Sequence, residues 1–397
     1  MEYTSDSAAV NSGERGFVVD LGSLYTHLAR LCDHRDRRGI RYALVTVLVY
    51  VILAKLVGQK HVRGIAEWIE HRKEALAEAL GLRKARAPHP STYSRILGHV
   101  VDIEQFERVV SEFFAHQPRA GQSVVIAVDG KTVRGTIAAG QTQGLHLLAA
   151  YLPQEGWVLA QVEVEGKENE IKAAPRLLKC LDLRDKVVTA DALLAQRALS
   201  LQIVEAGGDY VWVIKDNQPQ LRQDIELLFQ PEQCPKGFSP ALKDFRTAST
   251  VEKGHGRLEQ RHITVSTELK DYLDWPYAQQ VFKLARDFER LQDGKITHTL
   301  VYGVTSLKAQ EAGPQRLLRL IRSHWGIENG LHYRRDETLG EDRCRLRTGH
   351  AARAMVIINN LVLGLLLRQG VNNVPAAQRR FDAHPEEALS LILTCPT

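Results

Sequence analysis

Cysteine gives this chain neither a disulfide framework nor a zinc ribbon. Cys32, Cys180, Cys234, Cys344 and Cys395 are five in number, lie far apart and form no CxxC pair, which points to a reducing, cytosolic setting. A membrane-length apolar run is missing too. ALVTVLVYVILA at 43–54 is cut by Lys55, and MVIINNLVLGLLL occupies only 355–367, both short of the roughly 20 residues a spanning helix needs. Both are expected as buried helices, with no membrane partner. The opening MEYTSDSAAVNSGERG lacks the cationic-then-apolar order of a signal peptide, and residues 1–19 are expected to be flexible. GxxxxGKS/T and a nucleophile elbow are absent, and His324 and His332 are spaced HxxxExxxH rather than HExxH. Nucleotide-triphosphatase, serine-hydrolase and HExxH zinc chemistry are thereby disfavoured.

Charge of one sign is scarce overall. Fifty-two Lys and Arg face 47 Asp and Glu, a net +5 in 397 residues, too little by itself to specify a polyanion partner. The excess is local instead: residues 315–353 carry nine arginines against five acids, as expected for a groove facing DNA.

Residues 20–120 read as an all-helical N-terminal domain. Apolar positions recur at helical spacing through Leu21–Cys32, Tyr42–Val57, Val62–Leu80 and Ile103–His116, with Gly39, Gly58, Gly81 and PHPS at 88–91 as breaks. PSTYSRIL opens a short helix. The basic clusters Arg35/Arg37/Arg38/Arg41 and Arg83/Lys84/Arg86 suit either DNA contact or solvated helix ends.

From Ser123 the period changes to α/β. VVIAV at 124–128 reads as a strand buried on both faces, and LHLLAAYL and WVLAQVEV form a hairpin around PQEG. A helix over Glu170–Leu181, a strand KVVTA at 186–190, a helix over Leu193–Ala206 and a strand YVWVIK at 210–215 come next. Residues 217–300 read as a β-rich insertion, and a helix starts near Pro314. Residues 121–397 thus form one α/β unit with a helical C-terminal part.

Three acids stand in distinctive places. Asp129 and Asp191 come directly after buried strands, where ligands collect in open α/β sheets. Glu328 lies in a basic helix with His324, His332 and Asp336 at four-residue steps. Three converging carboxylates suit oxygen-preferring Mg²⁺ or Mn²⁺, and a pair of such ions can activate the attacking oxygen and stabilise the leaving one at phosphorus. Each acid also has a plainer reading. Asp191 would cap a helix, Asp129 would shape a turn, and Glu328 would pair with Arg334 or Arg335.

The segments VVIAVDGKTVRG, KENEIKAAPRLLKCLDLRDKVVTADALLAQ, YVWVIKDNQPQL and RSHWGIENGLHYRRDETLGEDRCRLRTGHAARAMVIINNLVLGLL resemble the DDE transposases of the ISAs insertion-sequence group, the group of the H-repeat-associated proteins. RRGIRYAL, VRGIAEWIEHR and PSTYSRIL resemble its helical leader region. The resemblance implies an RNase H-like catalytic domain with Asp129, Asp191 and Glu328 as a metal-holding triad for two Mg²⁺ or Mn²⁺ ions. It also implies cleavage of double-stranded DNA at terminal inverted repeats, strand transfer into target DNA, and a homodimer or larger multimer. Two other readings stay open: a domesticated endonuclease or recombination factor, and a DNA-binding regulator without catalysis.

Around the third acid the sequence departs from the wider transposase pattern. His324 stands where an arginine is usual, Ile321 where a tyrosine is, and Arg335 where a lysine is. Lys131, Arg134, Lys215, Arg322, His324 and Arg335 are the expected DNA contacts beside the triad. Arg343, Arg345 and Arg347 alternate by two, as in an extended segment along phosphates. Glu341 and Asp342 are alternative carboxylate partners.

Overall fold

A computed structural model describes residues 9–10, 17–115, 124–165, 168–230, 243–254 and 256–394. Most of the flexible N-terminus expected over 1–19, together with His116, Cys234 and Cys395, lies outside them. A two-stranded ribbon pairs β1 (Ala9–Val10) with β2 (Phe17–Val18). Helices α1 (Leu24–Ala29), α2 (Leu44–Leu56), α3 (Val62–Glu70), α4 (Lys73–Ala79), α5 (Pro90–His99) and α6 (Ile103–Ala115) come after it.

The one helix expected over Val62–Leu80 is two. Arg72 takes φ −124° and ψ 10° before α4, and its guanidinium lies 4.4 Å from the Trp68 ring, so a cation–aromatic contact sits at the break.

The sheet half consists of β3 (Val125–Thr132), β4 (His146–Leu152), β5 (Trp157–Glu163), α7 (Glu170–Lys179), β6 (Val187–Ala190), α8 (Arg197–Glu205), β7 (Asp209–Ile214), α9 (Pro219–Leu228), β8 (Arg246–Gly254), β9 (Arg257–Ser266), β10 (Gln280–Arg290) and β11 (Ile296–Thr305). Helices α10 (Pro314–Gly326), α11 (Ala351–Arg368), α12 (Val374–Ala383) and α13 (Pro385–Leu393) complete the chain. Nine strands form one sheet in the order β5-β4-β3-β6-β7-β11-β10-β9-β8. Strands β3, β6 and β7 run parallel, and every other pairing is antiparallel.

The β-rich stretch expected as an insertion at 217–300 is therefore no separate lobe. It begins with α9, and β11 pairs with β7 from Tyr302↔Ile214 to Thr305↔Val211, continuing the same sheet. Strand β8 had no sequence signal, since RTASTVEKG holds few apolar residues and alternates between half-buried and exposed.

Both apolar runs are core helices. Along α2, Val47 to Ala54 are fully buried, as a helix apolar all round must be. Helix α11 is long and apolar enough to cross a membrane, yet 78% of it is buried inside the protein. It packs against α2, α5, α6 and β5, and one continuous core runs from Leu24 through the sheet to Ile392. Among the described residues, the helical N-terminal part shares that core with the sheet.

One charge sits in this core. Lys55, only 1% exposed, donates from Nζ to the Leu339 carbonyl at 3.0 Å. Burial pushes its ammonium down to about 8, against the opposing pull of Cys344 and Glu341. Because the folded value lies below the ordinary 10.5, the unfolded chain binds this proton more tightly. Stability gained from this group is therefore expected to rise as pH climbs from about 8 towards 10.5, on the order of 1 kcal/mol per pH unit. Lys55→Met is expected to remove that slope in denaturant titrations across the window; parallel pH curves for the two proteins would refute the assignment.

Candidate active site

Two strands bring the first two acids together. β3 and β6 pair in parallel register from Val125↔Val187 to Val128↔Ala190, so Asp129 and Asp191 each stand one residue past the last matched pair. From β3 the chain proceeds outward to β4 and β5, and from β6 it proceeds the other way to β7 and β11. That reversal opens a crevice at the carboxyl ends of the strands. β6 stops because Asp191 accepts the Ala192 N–H at 2.6 Å and caps a 3₁₀ turn over Ala192–Leu194. Strand β3 instead runs on beside β4 as far as Thr132↔His146, so Asp129 lies within a strand and not beyond its end.

The third acid arrives on a distorted helix. α10 buries Leu317, Leu318, Leu320 and Ile321 in a cluster with Val125, Val187 and Val211. After Gly326 the helix widens into π-helical bonding over Ile327–His332 and again over Arg334–Thr338. Glu328 is therefore not in a regular α-helix. Two glycines let this stretch approach the β4–β5 hairpin: a Cβ on Gly326 would meet Pro153 Cβ at 2.8 Å, and one on Gly330 would meet the Tyr151 hydroxyl at 2.8 Å. Glu328 thereby lines the same cleft, about 380 Å³, as Asp129, Asp191, Lys215, His324 and Trp325.

The acids are electrostatically unequal. Burial raises Asp129, but contact with His332, the charges of His332 and His324 and the Gly130 N–H outweigh it, leaving its carboxyl below the usual range. Glu328 is raised, by burial first and then by the charge and hydrogen bond of Asp129. Two neighbouring carboxylates that share a site part in this way. Burial depresses His324 despite the nearby charges of Asp129 and Asp191. Asp191 is half open and paired with Lys215 Nζ at 3.2 Å. His332, 6% exposed by side chain, holds Nε2 3.3 Å from Asp129 Oδ2. Neither of its ring nitrogens makes an aligned hydrogen bond.

The donors fit a hard cation in kind, being carboxylate oxygens from three elements around one cleft. They are not gathered into a ready-made cage: among the described residues no group of three or more His, Cys, Asp or Glu is placed to hold a metal ion.

The expected DNA-contacting cations divide. Lys215 and His324 line the cleft. Arg322 lines an adjoining groove instead, where it is ion-paired with Glu252. Arg134 is 80% exposed by side chain. Arg343, Arg345 and Arg347 are all exposed, alternating with half-buried Cys344 and buried Leu346, although Arg347 also donates to the Gly135 carbonyl at 3.3 Å. Arg335 is a correction. It is 1% exposed and its Nη2 lies 2.6 Å from Glu341 Oε1, because an arginine buried in the core needs a carboxylate beside it. Lys131 likewise turns inward to Asp336 Oδ2 at 2.6 Å. Glu341 is spent on Arg335 and on Asn359, Asp342 on the Arg134 N–H, and neither lines the cleft.

Sequence reasoning missed Arg286. It lines the cleft and also an adjoining groove of about 690 Å³ with Arg257, Arg261, Arg322 and Trp325. Its place in FKLARDFER marked a strand but could not show which face meets the acids.

Known proteins resemble the chain along most of its length. The family described as "Transposase DDE domain" matches residues 120–365, and "DDE_Tnp_1-associated" matches 25–114. The "Putative transposase YncI" of Escherichia coli O157:H7 is 29% identical over 88% of this chain and 88% of its own. The "H repeat-associated putative transposase YhhI" of Escherichia coli K12 is 27% identical over 89% and 92%. Among solved structures, a chain of the piggyBac transposase synaptic complex with hairpin DNA has a TM-score of 0.41 at 12% identity, over 93% of this chain and 77% of that one.

Asp129→Asn is expected to bring the Glu328 pKa down towards the ordinary carboxylate range, read by ¹³C NMR of labelled glutamate side chains. An unmoved Glu328 titration would show that the two carboxyls do not interact. Gly330→Val is expected to cost about 1–3 kcal/mol, the range for overpacked sites, because the backbone must back away from Tyr151; an unchanged denaturation midpoint would contradict that contact.

Proposed function

The chain belongs to the Transposase DDE domain family, and from that premise we propose that it cuts DNA at the ends of an insertion sequence and joins the freed ends to target DNA. The observation that carries this reading is the convergence of Asp129 from β3, Asp191 from the cap just past β6 and Glu328 from a π-turn on one cleft. The order β5-β4-β3-β6-β7, a hairpin on one side of β3 and two parallel strands on the other, supports reading the centre of the sheet as an RNase H-like core.

In the first step a water oxygen forms a bond to phosphorus as the O3′–P bond breaks. In the second, the liberated 3′-hydroxyl bonds to a target phosphorus as a P–O bond there breaks. Asp129, Asp191 and Glu328 would hold Mg²⁺ or Mn²⁺, two ions in all, which when bound lower the attacking oxygen's pKa and neutralise charge at the phosphoryl group. His332 sets its ring against the Asp129 carboxylate, Nε2 3.3 Å from Oδ2. Lys215 balances Asp191 and stands where a phosphate oxygen enters. Arg134, Arg322, Arg343, Arg345 and Arg347 supply the sequence-independent grip on the backbone, and Arg286 joins them. Arg335 and Lys131 serve the fold. Pairing two element ends calls for a homodimer or larger assembly on double-stranded DNA, acting in the cytosol.

Nicking of DNA carrying the sequences that flank the gene, assayed with Mg²⁺ or Mn²⁺, tests this. Strand-specific cuts at a repeat boundary are expected, with Asp129→Asn, Asp191→Asn and Glu328→Gln each at least about 10²-fold slower yet still binding DNA. Cutting without joining would favour a domesticated endonuclease. Binding without cutting by the wild type would leave a DNA-binding regulator as the better account.

A further inference from the structure

The π-helical register that carries Glu328 is held from outside. A π-turn is rare, and a disfavoured local geometry persists only when its surroundings over-determine it. Here the second π-turn, Arg334–Thr338, and the residues after it are pinned by several elements. Lys131 of β3 holds Asp336. Arg335 grips Glu341, which Asn359 of α11 also holds at 2.8 Å. The remaining pins come from the helical N-terminal part. Lys55 Nζ donates to the Leu339 carbonyl at 3.0 Å, and Lys60 Nζ donates to the Glu337 carbonyl at 3.2 Å. The Lys60 stem also packs against Gly340, which sits at φ +67° and where a Cβ would meet Lys60 Cδ at 2.9 Å.

Lys55 is the most telling of these. α2 is apolar around its whole circumference, so packing alone would be met by leucine or methionine there. A buried ammonium is costly, and this one has its hydrogen bond to a backbone carbonyl 284 positions away. That carbonyl belongs to the residue whose own N–H closes the five-residue turn back to Arg334 at 3.0 Å. The lysine therefore fixes the end of the π-stretch and the number of residues it must accommodate. The Arg334–Thr338 turn comes directly after the Ile327–His332 turn that carries Glu328, so the far anchor of one bears on the register of the other.

We propose that Lys55, assisted by Lys60, is a positioning residue for Glu328, so that the helical N-terminal part completes the site it does not itself line. This rests on reading Glu328 as one of the three working carboxylates.

The test compares the full chain with Lys55→Met, which fills the same buried space, and Lys60→Ala. In Lys55→Met, amide hydrogen exchange over residues 327–340 is expected to accelerate at least tenfold while β3 and β6 keep their protection. Mn²⁺ affinity of the DNA-free protein, read by electron paramagnetic resonance, is expected to fall about tenfold, and the nicking kcat likewise with KM for DNA unchanged. Lys60→Ala, at the surface and harmless to the core, is expected to show the same pattern more weakly, which keeps the idea testable should Lys55→Met fail to fold. Unchanged exchange over 327–340, or acceleration spread evenly through α2 and the core, would overturn the proposal. If the wild type neither binds Mn²⁺ nor cuts DNA, the functional reading falls, while the exchange pattern still decides whether the lysines hold the turn.

Discussion

The parallel pairing of β3 with β6 is the constraint on which the cleft depends. Four matched residues, Val125 to Val128 against Val187 to Ala190, are apolar or small enough to be buried on both faces. Their pairing sends the next residue of each strand into one crevice. That residue is an aspartate in both cases, so carboxylates 62 positions apart in the chain are set side by side by backbone hydrogen bonds. Glu328 is brought against them by α10, whose apolar stripe packs on the same two strands through Val125 and Val187. The opposite pKa shifts of the two acids are a result of that placement: burial and then the Asp129 charge raise Glu328, whereas His332, His324 and the Gly130 N–H outweigh burial and lower Asp129.

Much of this was legible in the sequence, for definite reasons. A strand covered on both faces must be continuously apolar, so VVIAV and KVVTA announced themselves and placed Asp191 at the end of its strand, whereas β3 runs on past Asp129 to Thr132. PQEG between two apolar runs fixed the β4–β5 hairpin. The all-round apolarity of 43–54 marked a buried helix. Other features carry no local signal. The π-bonding around Glu328 has no local signal, and Pro153, Tyr151 and Lys55, which neighbour the stretch, are all remote in sequence, so four-residue spacing read as an ordinary α-helix. The continuation of the sheet through β11 depends on Tyr302–Thr305 finding β7, which a run read as an insertion does not disclose.

Arginines show where sequence reasoning fails most sharply. Arg335 and Arg345 lie ten residues apart in one basic stretch, and either could grip a phosphate. Arg345 is exposed. Arg335 is sealed against Glu341 in the core, and the difference lies in that buried carboxylate, which Asn359 of α11 also holds. Composition measures how much charge a segment carries, whereas burial decides whether that charge meets DNA or another side chain. The same reasoning applies to Lys55, whose charge interrupts an apolar run and there reads only as an argument against a membrane span. In the fold, that ammonium reaches from α2 into the sheet half and grasps the segment that carries the third acid.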